Sequence, residues 1–143
     1  MIELVVRRSV DLPAPVEDIW SMLTDPARLA EWLGAEVDLA SAEPGADGRV
    51  VDAGGLVRRL VVDTVEPGRR FAFTWWPAER PEDATTVAFT LAADGQGTRL
   101  DVEEAPVARA GGRACTLALA GDPWGERLLG LELAVLSPLA VLA

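Results

Sequence analysis

The run Leu56-Val57-Arg58-Arg59-Leu60-Val61-Val62-Asp63-Thr64-Val65 leads through Glu66-Pro67-Gly68-Arg69 into Phe71-Ala72-Phe73-Thr74-Trp75-Trp76. It reads as strand, turn, strand. β-branched and aromatic residues crowd both runs, and the Pro-Gly pair between them marks a tight reversal. So short a connection joins antiparallel neighbours, because parallel pairing needs a crossover of roughly a dozen residues. In the second run Phe71, Phe73 and Trp75 share one face, while Trp76 points the other way. In the first, Arg58 shares its parity with Leu56, Leu60 and Val62.

The same texture extends in both directions. Downstream, Thr85 to Ala92 places Val87, Phe89 and Leu91 on one face, and Asp94-Gly95-Gln96-Gly97 closes a hairpin into Thr98 to Glu104, with Leu100 and Val102 inward. Upstream lie a strand over Arg49 to Asp52, a turn at Pro44 to Gly48 and a weak strand over Glu36 to Ala40. The chain opens on another alternating run, where Leu4, Val6, Val10 and Leu12 share a parity that also takes in Arg8. Pro15 then suits the first turn of a short helix bearing Ile19, Trp20 and Leu23. Asp25 caps a second helix, with Pro26 at its first position, Leu29, Trp32 and Leu33 at helical spacing, and Gly34 at its end. Residues 105–121 carry no clear period. Asp122-Pro123 opens a last helix running at least to Ser137, where Pro138 bends or ends it. Its apolar stripe is Trp124, Leu128, Leu131 and Val135, and Glu132 falls four residues after Leu128.

Composition narrows the chemistry. The 143 residues fit one domain, 1–143, and the net charge of -10 disfavours nucleic acid and anionic membrane surfaces. There is no His, Lys or Tyr, which removes imidazole acid–base catalysis, Schiff-base chemistry and a phenolic acid. Cys115 is the single cysteine, so the sequence implies no zinc or other metal site and no internal disulfide. It fits a reducing, cytoplasmic setting and reads as a buried small hydrophobe. Met1 to Arg8 alternates like a strand rather than opening as a leader. The apolar stretch Leu128 to Ala143 is shorter than the ~20 residues a membrane span needs and reads as a core helix. Gly95-Gln96-Gly97 is a hairpin turn rather than a nucleotide loop, and Asp47 and Asp52 lack the spacing of a calcium loop. Glu103 and Glu104 are strand neighbours on opposite faces and cannot act together.

Several blocks resemble one family. Val10-Asp11-Leu12-Pro13-Ala14-Pro15-Val16-Glu17-Asp18-Ile19-Trp20 is similar to the opening of the activator-of-heat-shock-ATPase homologue branch of the SRPBCC (START-like) superfamily. Leu23-Thr24-Asp25-Pro26 with Trp32-Leu33-Gly34, the strand–turn–strand Val65 to Trp75, the hairpin blocks Thr86 to Leu91 and Gly97 to Leu100, and Trp124-Gly125 resemble its later blocks. The resemblance implies an α+β helix-grip fold. A curved antiparallel sheet of about six or seven strands wraps a long C-terminal helix, with two short helices after the first strand. It also implies an apolar cavity between sheet and helix, and no cofactor.

Five tryptophans and a few misplaced charges mark the candidate site. Phe73, Trp75, Trp124, Leu128 and Leu131 are ordinary core or the wall of a ligand pocket. Arg8, Arg58 and Glu132 fall at apolar positions, where a buried charge needs a partner or a route to water. One arginine is expected to meet Glu132 at the cavity and orient a ligand's polar group. The function expected is binding of a small hydrophobic molecule, non-catalytic or weakly catalytic. The alternatives are an enzyme of the polyketide cyclase or aromatase type, using a carboxylate as acid or base, and a protein-interaction module like the co-chaperone relatives. Trp76 and the tail Leu139 to Ala143 are the candidates for an exposed patch or homodimer contact.

Overall fold

Alternation gives each strand one apolar face, and a sheet covers such a face only by bending around something apolar. In the computed structural model, which describes residues 5–107 and 123–136, that something is the last helix. The order is β1 (Val6–Leu12), α1 (Val16–Thr24), α2 (Pro26–Leu29), β2 (Glu36–Leu39), β3 (Asp47–Val51), β4 (Val57–Glu66) and β5 (Arg70–Pro77). A single 3-10 turn at Pro81–Asp83 precedes β6 (Thr85–Asp94) and β7 (Gly97–Pro106), and α3 covers Pro123–Leu136. One curved, fully antiparallel seven-stranded sheet runs β1-β7-β6-β5-β4-β3-β2, so β2 to β7 form a meander and β1 returns to the free side of β7. This is the helix-grip arrangement expected from the sequence.

The inward parities hold across the centre of the sheet. Phe71, Phe73, Trp75, Val87, Phe89, Leu91, Leu100 and Val102 are buried, as are Trp124, Leu128 and Leu131 from α3. Seven of the eight aromatic residues link ring to ring, from Trp20 through Phe71, Phe73, Trp75, Trp124 and Phe89 to Trp32. Trp76 takes no part, lying half-buried on the outer face opposite Arg59. At the turn after β4, Gly68 has φ +75, a conformation glycine adopts without steric cost. Gly97 starts β7 so close to the end of β1 that a Cβ there would lie 2.5 Å from the Leu12 carbonyl oxygen.

Three details differ from expectation. Arg8 does not enter the core: it pairs with Val102 in register but is exposed, with Nη1 donating to the Arg7 carbonyl at 2.7 Å. β1 is an edge strand, and a long guanidinium stem there reaches solvent. The second helix ends at Leu29 rather than Gly34. Its Asp25 cap holds, accepting from the Ala27 N–H at 3.0 Å, but the chain then tightens as the Glu31 and Trp32 N–H groups bond three residues back. That turn tucks Trp32 inward, where its indole N–H donates to the Met22 carbonyl at 2.9 Å. β4 carries a bulge between Val62 and Thr64. The expectations for Leu4, Cys115, the Asp122 cap, Pro138 and the tail Leu139 to Ala143 lie outside the described residues. None of the described helices is long and apolar enough to cross a membrane.

Candidate functional site

Trp75 and Trp124 come from opposite layers, β5 and α3, and meet with ring centroids 6.2 Å apart and planes 25° from parallel. Both are buried, so each indole N–H must find an acceptor within the protein. Both find the same one. Trp75 Nε1 donates to Glu104 Oε2 at 2.9 Å and Trp124 Nε1 donates to Glu104 Oε1 at 2.7 Å. Thr85 Oγ1 adds a third bond, to Oε2 at 2.5 Å. The sheet register accounts for this convergence. Thr85 lies directly across from Trp75, and Glu104 pairs with Val87 two residues along β6, a diagonal that long side chains span. A carboxylate accepts through both oxygens, and here every partner is a donor. Among the described residues, no buried side-chain nitrogen or oxygen lacks a partner.

Two arginines lie over this pair. The Arg58 guanidinium lies 4.7 Å from the Trp75 ring centre, and that of Arg127 lies 5.1 Å from Trp75 and 4.8 Å from Trp124. Cations are attracted to the negative face of an aromatic ring, most strongly to indole. Arg58 also pairs with Asp52, Nη1 to Oδ2 at 3.3 Å, while Oδ1 of Asp52 accepts the Gly54 and Leu56 N–H groups of the β3–β4 turn. Arg127 is held well below the usual arginine value, at about 10. Burial is the main cause and the neighbouring Arg58 charge the second; Glu104, Asp52 and Glu126 pull the other way. It remains cationic at neutral pH.

Beside this stack opens a cleft of about 530 Å³. The α2–β2 connection forms one wall through Trp32, Gly34 and Ala35, the β3–β4 turn a second through Asp52 and Ala53, and the first turns of α3 a third through Glu126 and Arg127. The opening thus lies next to the aromatic cluster, whose own interior is packed with Phe73, Phe89, Leu128 and Leu131.

Of the residues expected at a site, Phe73, Trp75, Trp124, Leu128 and Leu131 gather in one cluster, with Arg58 against Trp75. Arg8 is remote from it on the edge strand. Glu132 is half-buried on α3, and among the described residues it meets no arginine. The acid at the centre is Glu104 instead. Its signal was present: Thr98, Leu100, Val102 and Glu104 share one parity, so the alternation that buries the first three buries the fourth. Arg127 was legible in the same way, three residues after Trp124 on the same side of α3.

The family described as activator of Hsp90 ATPase homolog 1-like protein matches residues 13–130. Among solved structures the chain is similar to DynU16, a protein of the dynemicin biosynthetic locus, at 30% identity and TM-score 0.71. It covers 90% of this chain but only 45% of DynU16, so this chain spans less than half of that protein. Protein MLL2253 from Mesorhizobium loti is 26% identical with TM-score 0.79, covering 94% of this chain and 98% of its own. The Aha1 dimer from Colwellia psychrerythraea shares the fold at 19% identity and TM-score 0.73, covering 92% of this chain and 96% of its own. No curated protein matches the chain significantly. With the match extending from the end of β1 into α3 and the helix-grip fold beneath it, the chain belongs to the activator of Hsp90 ATPase homolog 1-like family.

Proposed function

We propose that this protein binds a small, largely apolar molecule in the cleft beside the Trp75–Trp124 pair. The observation carrying this reading is an open volume of about 530 Å³ bordered by a cation–aromatic stack that Glu104 fixes in place. Small-molecule sites commonly span roughly 300–1,000 Å³ and combine apolar walls with a few oriented polar groups. Arg127, Trp32 and Asp52 line the opening; Trp75 and Trp124 lie behind Arg127, with Arg58 over Trp75 and Phe73, Leu128 and Leu131 packed in the same cluster. A relative encoded in a biosynthetic locus fits a small-molecule role. The test is titration with the neutral dye N-phenylnaphthylamine, followed by energy transfer from tryptophan. One saturable site is expected, and Ala35→Trp, which fills the cleft from an exposed position, should weaken it at least tenfold without lowering thermal stability. Absence of saturable binding, or indifference to Ala35→Trp, rejects the reading.

A second reading, self-association, has its own observation. Leu129 and Leu136 are 56% and 59% exposed on the outer side of α3, and the Colwellia neighbour is a dimer. Burying such leucines against a second copy would remove apolar surface from water. Sedimentation velocity should then show a dimer that Leu129→Glu converts to monomer; a monomeric wild type at high concentration discards this reading.

A further inference from the structure

We infer that the molecule taken by this cleft carries a single anionic oxygen group, such as a carboxylate, held by Arg127. This rests on the cleft being a small-molecule site and names the chemistry it selects.

The two acids that face the stack, Asp52 and Glu104, are already engaged. Asp52 pairs with Arg58 and spends its other oxygen on the turn amides. Both oxygens of Glu104 are taken by Trp75, Thr85 and Trp124. Arg127 lines the cleft with one side against two indole rings, yet among the described residues it makes no hydrogen bond or ion pair. A guanidinium offers five N–H donors in a fixed fork that matches a carboxylate, and Arg127 presents its fork at the wall of the cleft. The lowered pKa of Arg127 has the same origin, since burial and Arg58 both disfavour its charge. An anion arriving from the cleft would offset both effects. The indole stack would hold the fork in position beforehand, so little side-chain freedom is lost on binding.

The walls also set an upper limit on charge. Glu31 and Glu126 line the same cleft, and the whole chain carries -10. A dianion such as a phosphate monoester would meet that field at close range, whereas a monoanion on an apolar body gains the Arg127 contact at a smaller electrostatic cost.

Two dyes that share a ring system separate the ideas: anilinonaphthalene sulfonate is a monoanion, and N-phenylnaphthylamine is its neutral counterpart. Wild-type protein should bind the sulfonate about tenfold more tightly than the neutral dye, the size expected of one charge-assisted contact. Arg127→Gln should bring the ratio of the two affinities to about one, and Arg127→Lys should keep most of the preference. Thermal melts of both variants guard against a folding artefact, and the wild-type ratio needs no variant. Equal affinity of the two dyes for wild type, or a preference surviving Arg127→Gln, overturns the anion inference while leaving the binding reading intact. Failure of both dyes to bind removes both.

Discussion

Glu104→Leu is expected to lower the free energy of unfolding by about 3 kcal/mol, seen as a fall in the urea midpoint with an unchanged slope. The leucine fills similar space but accepts nothing, so two buried indole N–H groups and the Thr85 hydroxyl lose their acceptor together. Each unmatched buried donor costs about 1–3 kcal/mol, and the hydroxyl can rotate to recover part of its share. Glu104→Gln makes the sharper comparison. Its carbonyl can serve Trp75 and Thr85, but its amide then presents a donor to the Trp124 N–H. The cost of Glu104→Gln should therefore shrink in a Trp124→Phe background, where that N–H is gone. A double-mutant cycle reads the difference directly, and strict additivity would show that the two indoles do not share this carboxylate.

Trp124→Ala should cost about 4 kcal/mol, at the upper end for a single core truncation. The side chain is fully buried, stacks on Trp75, meets Phe89 edge-on at 5.8 Å and anchors the start of α3 to β7 through Glu104. The rings packed around it hold one another in place and do not move in to close the volume. Near-UV circular dichroism should lose the signal of the coupled indoles while far-UV strand signal persists. Trp76→Ala, on the outer face, should change the midpoint little. A comparable loss from the two substitutions would place the energetic centre of the fold elsewhere.

Most of the fold was legible because its signals are local. Pro-Gly at 67–68 and Gly-Gln-Gly at 95–97 fix reversals, and alternation through Phe71, Phe73 and Trp75 fixes an inward face. The β4 bulge was not legible, since Val61-Val62-Asp63-Thr64 offers no residue that demands an extra position. Nor was the early end of α2, where burial of Trp32 outweighs helical propensity. For the site, aromatic residues were easy to place and charges were not. Parity drew Arg8 inward, but an edge strand lets a long side chain escape. Glu103 and Glu104 cannot cooperate across the strand, yet that same opposition sends one of them into the core. Whether a buried acid is tolerated depends on donors from β5, β6 and α3, and no local window contains all of them.

The return of β1 to β7 has a kinetic consequence. Arg7 reaches Glu103 across 96 positions of the chain, so this seam joins the most distant parts of the sheet. Loop-closure entropy makes so remote a pairing slow to nucleate, whereas the hairpins of the meander zip from their own turns. Refolding should therefore be paced by docking of the first strand, and until it arrives β7 stands as an open edge available to neighbouring molecules. Slow refolding and sensitivity to crowding by other unfolded copies follow from one long-range seam.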